Sequence, residues 1–200
     1  MSRPPTPAPA LLPRSGLASG RLIRRRCRLA AAWLTGDSVL DAGCNVADLL
    51  AFLRPNVDYL GLERDPRIVA IAQGLHPERR FLALDLEGPW PPDLTERRFD
   101  HVVLLAVLEH LGRPEQVLRQ ARALLGPGGT VVASTPHPWA RGLHRLGARW
   151  GLFSRDADED HEVFLGRAEL ESLGRAAGLR LLAYRRFQLG LNQLVVWSAA

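Results

Sequence analysis

The sequence predicts an α/β fold: a mostly parallel sheet with helices on both faces, closed by an antiparallel hairpin. Three observations predict it. Short apolar runs alternate with amphipathic stretches from Ser38 onward, the pattern of strands joined by crossover helices. The run 100–106 is almost wholly apolar in its interior, as in a strand buried on both faces. The chain ends in two strand-like runs, 179–187 and 193–198, joined only by a turn at Gly190, so one strand must run antiparallel.

Residues 1–18 are Pro-rich and without period, which predicts a disordered tail ahead of one domain over 19–200. Ser19 is placed to cap a helix reaching about Leu34, with Ile23, Cys27, Ala30 and Leu34 on one face and Arg24, Arg25 and Arg28 on the other. Strand one is Ser38–Asp41, followed by a helix from about Ala47 to Leu53. Strand two is Tyr59–Glu63, and the helix after it, Pro66–Gly74, opens with Asp65 before a proline, a good start signal. Strand three is Arg80–Asp85, and GPWPPDLTERR reads as a loop. After strand four, Pro114 opens a helix with a stripe of Val117, Leu118, Ala121, Leu124 and Leu125. Gly126, Pro127, Gly128 and Gly129 then read as a tight turn into strand five, Thr130–Ser134. A helix over about Arg167–Ala177 precedes the hairpin. Between them, 135–166 breaks the rhythm, and a long irregular insert at this edge reads as a substrate lid.

Two hundred residues at 46% apolar content suit one globular domain. All 26 basic residues are Arg, which fits the codon bias of a GC-rich bacterial genome, so richness in Arg says little about nucleic acid. Seven of them fall in residues 1–30, where there is no acid; the other 19 face 21 acids, a body of −2. Nucleic acid is therefore not expected as a partner. No apolar run approaches a membrane span, the N-terminus is too broken by Pro for a signal-peptide core, and Cys27 and Cys44 each read as a buried thiol. A reducing cytoplasm follows as the expectation.

The stretch SVLDAGCNVADLL (Ser38–Leu50) is strand, tight turn and helix. In a parallel sheet such a turn lies at the carboxyl edge, where N–H groups and a helix start point outward together, which makes it the first candidate ligand site. With VLDAGCN stand two further ordered pieces, FDHVVLLAVLEHL with RPEQVLRQARALLGPGG, and VVASTP. Over about Ser38–Pro136 these pieces resemble class I S-adenosylmethionine-dependent methyltransferases, of the subgroup that includes many small-molecule and quinone-biosynthesis enzymes.

That resemblance implies a Rossmann-like seven-stranded sheet, S-adenosyl-L-methionine as cofactor with S-adenosyl-L-homocysteine as product, and methyl transfer to a small or medium-sized acceptor at oxygen or carbon, by a monomer or homodimer. It places Asp41 under the methionine end, Gly43, Cys44 and Asn45 in the turn that meets the cofactor, Glu63 at the ribose, Asp85 at the adenine amino group with Leu86 against the ring, and Leu105 with Ala106 beside the methyl group, and counts Arg64 among the cofactor-binding residues. Gly43 lets backbone approach the ligand, where a substituent would occupy the ligand's volume. Asn45 and Ala47 stand where the family often has Gly, and Asn tolerates a left-handed backbone. Some relatives carry an acid at the position of Ala106, so no base is expected there. Asp65 competes with Glu63 for the ribose role, although it reads better as a helix cap. Two carboxylate oxygens suit two neighbouring hydroxyl donors.

On the acceptor side, His137 and His161 are the candidate bases, and His110 and Trp139 the candidate substrate contacts. The acids Asp156, Asp158, Glu159, Asp160 and Glu162 lack a ligand spacing and read as a solvated turn, so no metal is expected. Two other functions fit the chain less well. A dinucleotide-binding oxidoreductase would use Glu63 as its ribose acid, but GCNVAD lacks the second and third glycines of that fingerprint. A non-catalytic binding module would account for Ala47 and Ala106.

Overall fold

The computed structural model describes residues 17–139 and 165–200. Its strands are β1 (Ser38–Ala42), β2 (Asp58–Glu63), β3 (Arg80–Ala83), β4 (Phe99–Leu105), β5 (Leu125–Pro136), β6 (Leu179–Phe187) and β7 (Asn192–Ala199). They form one sheet in the order β3-β2-β1-β4-β5-β7-β6. Pairings among β3, β2, β1, β4 and β5 are parallel. β7 runs antiparallel to both β5 and β6, as the short Gly190 turn requires. The strand order reverses between β1 and β4. At that point the crossovers leave the sheet in opposite directions and a crevice opens at the carboxyl edge.

The helices are α1 (Leu17–Ala31), α2 (Pro66–Leu75), α3 (Pro92–Thr95), α4 (Pro114–Ala123) and α5 (Arg167–Ala176). Successive residues of a strand face opposite sides, and the two cores divide on that period. Leu40, Val102, Leu104, Val131 and Trp197 pack with Leu118 of α4 and Leu170 of α5. Val39, Val103, Val132 and Val196 pack with Cys27 and Ala30 of α1. Burying each such aliphatic side chain contributes about 1.5–3 kcal/mol. At the amino edge, Asp100 accepts from the N–H groups of Asp37 (2.6 Å) and Ser38 (2.9 Å), which fixes β1 against β4.

Several boundaries differ from the sequence reading, for physical reasons. α1 begins at Leu17, so Ser19 lies inside the helix rather than capping it. The element after β1 is a five-residue 3₁₀ turn, Asp48–Phe52, because Ala47 adopts φ +62° and starts it late. GPWPPDLTERR contains α3, one turn nucleated by a proline at its start. The 126–129 segment is not a free turn but the first part of β5, whose register with β4 shifts between Phe99 and His101. Residues 140–164, with His161 and the acidic cluster, lie outside the described residues.

Candidate functional site

A cavity of about 690 Å³ opens at the carboxyl edge of β1, β2 and β4, at the switch point. β1 delivers Asp41 and then turns. Gly43 adopts φ +80°, and the N–H groups of Gly43 and Cys44 both donate to Leu62 O (2.8 and 2.9 Å), which pins the turn to the end of β2. A Cβ at Gly43 would lie 2.5 Å from Val107 Cγ2. The glycine is therefore required by its own backbone conformation and by Val107. Asn45 takes the left-handed conformation (φ 50°), and its side-chain Oδ1 accepts from Val46 N at 2.8 Å.

The acid ending β2 closes the turn from the other side. Glu63 Oε2 accepts from Asn45 N (3.1 Å) and Oε1 from Asp65 N (3.2 Å), leaving a half-buried carboxylate on the cavity wall. Asp65 is the cap of α2: its Oδ1 accepts from Arg67 N at 2.8 Å, and it pairs with the Arg67 guanidinium at 2.7 Å. Arg67 is thereby engaged away from Glu63. Beyond β3, Asp85 Oδ1 accepts from Glu87 N (3.0 Å), while the Leu86 carbonyl accepts from Trp90 Nε1 (3.0 Å) and Gln120 Nε2 (3.1 Å), holding the Leu86 side chain on the wall.

β4 ends as Ala106 turns left-handed (φ 59°) with its N–H on Ser134 O (2.8 Å), so that Leu105, Ala106 and Val107 all border the cavity and His110 stands at its rim. Asp41 is 3% exposed and accepts from the Tyr59 hydroxyl at 2.8 Å. Burial pushes its carboxyl up to about 7, against the Tyr59 hydrogen bond and with the help of the Glu63 charge. Cys27 and Cys44 are free and buried, and burial pushes the Cys27 thiol up to about 12 and the Cys44 thiol higher, so both are inert at neutral pH.

The fold thus gathers Asp41, Gly43, Cys44, Asn45, Glu63, Arg64, Asp85, Leu86, Leu105 and His110 around one space. It does not bring His137 and Trp139 to that wall. His137 N donates to Leu191 O (2.8 Å), its ring meets Trp139 edge-on at 5.5 Å, and the Arg186 guanidinium stacks 4.0 Å over Trp139, a cluster on the β6–β7 hairpin. Burial, then Arg186, lowers the His137 pKa. Three charged wall residues escaped the sequence reading of the site, Arg26 of α1, Asp48 and Glu87. Arg26 was legible as a flank of the Ile23–Cys27–Ala30 stripe, where long cationic side chains lay their stems on apolar surface.

Fold and cavity define an α/β protein with a ligand crevice at the switch point of its sheet, bordered by a glycine turn and three successive strand ends. The chain belongs to the methyltransferase-domain family, whose model matches residues 16–184. It is 34% identical over 151 residues to a ubiquinone biosynthesis O-methyltransferase of Cereibacter sphaeroides, an alignment covering 72% of this chain and 60% of that protein. The chain thus spans about three fifths of this relative's length. Among solved structures, it resembles magnesium protoporphyrin IX methyltransferase of Synechocystis PCC 6803, solved with bound SAH, with a TM-score of 0.70 at 18% identity over 92% of this chain and 88% of that one. It also resembles a TehB-like SAM-dependent methyltransferase of Corynebacterium glutamicum, with a TM-score of 0.65 at 20% identity over 88% and 87% of the two chains. At these identities the structural likeness speaks for the fold.

Proposed function

We propose that this chain transfers a methyl group from S-adenosyl-L-methionine to a small or medium-sized acceptor, at an oxygen atom. The observation that carries the reading is the Glu63 carboxylate, held by two backbone N–H groups on the wall of the cavity that the Gly43 turn opens. The residues present fit the cofactor. Glu63 would accept from the two ribose hydroxyls, Asp85 from the adenine amino group with Leu86 against the ring, and Asp41 would lie at the methionine end. Leu105 and Ala106 would border the methyl group and shield it from bulk water.

The cofactor supplies a methyl group already activated on a sulfonium and leaves as S-adenosyl-L-homocysteine. The protein's part is then alignment, an effect of about 7–11 kcal/mol where two reactants are held in line. An acceptor hydroxyl also needs a base, worth about 10²–10⁴-fold. Of the three histidines, His110 stands at the cavity rim, His137 lies off that wall on the hairpin side, and His161 lies outside the described residues. Methylation at oxygen is supported by the names of the curated relatives, O-methyltransferases of ubiquinone biosynthesis. The family match leaves the oxidoreductase reading without support. Among the described residues no helix is long and apolar enough to cross a membrane, and we place the protein in the cytoplasm as a monomer or homodimer.

The test is calorimetry with S-adenosylhomocysteine, together with methyl transfer from labelled cofactor to a panel of phenols and enols. Wild type is expected to bind and Glu63→Ala to lose most of that affinity while staying folded. Wild type that ignores the ligand would remove the proposal; binding without turnover on any acceptor would turn it into a non-catalytic module.

A further inference from the structure

The two most exposed large apolar side chains among the described residues stand together at the carboxyl edge of the sheet, outside the cavity. Leu189 is 98% exposed at the tip of the β6–β7 hairpin, and Trp139 is 66% exposed just past the end of β5. One guanidinium joins them: Arg186 stacks 4.0 Å over the Trp139 ring and donates to Gly190 O from Nε (3.3 Å) and Nη2 (3.0 Å). Ring and tip are thereby held as one patch. Leu189 has φ +56°, a conformation that glycine or asparagine adopts more readily than leucine, and no packing within the chain compensates for it. Strain of this kind, kept at a surface tip, points to a partner outside the fold.

Charge around the tip has one sign. Residues 177–200 contain Arg180, Arg185 and Arg186 and no acidic side chain. Arg185 and Arg186 follow each other in β6 and so flank the tip on opposite faces of the sheet, and among the described residues neither pairs with an acid. These features select among anionic partners. A stable protein–protein interface takes about 20–30 residues a side, and the tip offers a handful. Nucleic acid would meet the arginines and stack on Trp139, but gives an exposed leucine nothing apolar to enter. An anionic bilayer surface suits all four residues: acyl chains take the leucine, the headgroup level takes the indole, and the headgroups take the guanidinium groups.

We infer that the tip of the β6–β7 hairpin docks on an anionic lipid surface, with Leu189 and Trp139 inserted at the headgroup boundary and Arg185 and Arg186 on the headgroups. The attachment is peripheral and reversible, since a single tip carries it. The inference goes beyond methyl transfer and does not rest on it. β6 lies three strands from β4, about 14 Å along the same edge, so a docked tip holds the cavity mouth near that surface.

The experiment is co-sedimentation of the full chain with vesicles, one set of phosphatidylglycerol and phosphatidylcholine in equal parts and one of phosphatidylcholine alone. Wild type is expected to sediment with the first set far more than with the second, and less as salt is raised. Leu189→Asn, which relieves the backbone and should melt no lower than wild type, is expected to lower the partition coefficient about tenfold, whereas Leu189→Trp should keep or raise it. Arg185→Gln should lower it about fivefold. Brominated acyl chains should quench the fluorescence of wild type, and Trp139→Phe should lose most of that quenching. No retention on the anionic vesicles overturns the inference, as does equal retention on both sets or equal retention of wild type and Leu189→Asn. Polyuridylate bound equally by wild type and Leu189→Asn, with no retention on vesicles, assigns the arginines to nucleic acid and overturns it too.

Discussion

Tyr59 donates its hydroxyl to Asp41 Oδ2 at 2.8 Å between neighbouring parallel strands, where both side chains are buried. The hydrogen bond favours the carboxylate, but burial outweighs it and lifts the Asp41 pKa from 3.8 to about 7. Between those values the native state keeps a proton that the unfolded chain releases. Asp41 therefore contributes stability below pH 3.8 that is lost as pH rises through about 7. Asp41→Asn, which keeps an acceptor for Tyr59, should flatten the stability profile over this window in urea titrations at half-unit pH steps. A variant whose slope matches wild type would show that Asp41 is ionised throughout.

The Asp41 site also shows what the sequence could convey. The strand-turn-helix reading of Ser38–Leu50 placed the turn correctly, because apolar runs and a glycine constrain backbone locally. Glu63 and Asp85 were legible because residues ending parallel strands share one edge. Arg26 was missed within RRRCR: on a helical wheel it lies about 60° from Ile23, on the border of the buried stripe, and only the packing of α1 decides which way such a residue turns. The start of β5 was missed for a related reason. Gly126–Gly129 carry a turn's composition, yet pairing with β4 across a register shift draws them into the strand. The placing of His137 and Trp139 depends on the hairpin folding back beside β5, a contact between residues far apart in sequence.

A second titration runs the other way. Gly36 N donates to His101 Nε2 at 2.9 Å, so the ring carries its proton on Nδ1, which donates to Thr130 Oγ1 at 2.8 Å. Protonating Nε2 would break the first bond, and burial holds the ring pKa below 6.5 despite Asp100. The unfolded chain binds the proton more readily, so the His101 contribution is present above pH 6.5 and is lost as pH falls through the lowered native value. Nitrogen NMR should find the Nδ1-protonated tautomer at pH 7. Thr130→Val should cost about 1 kcal/mol by removing one hydrogen bond.

The hairpin tip is strained. Gln188, Leu189 and Gly190 all have positive φ (52°, 56° and 84°), and Leu189 is 98% exposed, so nothing packed against it offsets the backbone cost. Asn occupies such conformations more readily than Leu. Leu189→Asn is expected to stabilise the protein by about 0.5–1 kcal/mol in thermal or urea denaturation, and an unchanged or lowered midpoint would contradict this account.

Gly174 gives the opposite expectation for a change that helix propensity alone would favour. It is buried in α5, and a Cβ there would stand 2.3 Å from Trp197 Nε1 and 2.8 Å from Cδ1. Trp197 is fully buried at the centre of the core shared by α4 and α5, so its indole has no free space to enter. Gly→Ala in a helix interior gains about 1 kcal/mol of backbone preference, whereas overpacking a filled core costs about 1–3 kcal/mol. Gly174→Ala should therefore lower the urea midpoint, with a net loss of up to about 2 kcal/mol. The double variant Gly174→Ala/Trp197→Phe, which trims the indole where the new methyl enters, should lose less than the sum of its two single changes. Additive losses would show that α5 shifts away from the sheet instead of pressing on Trp197.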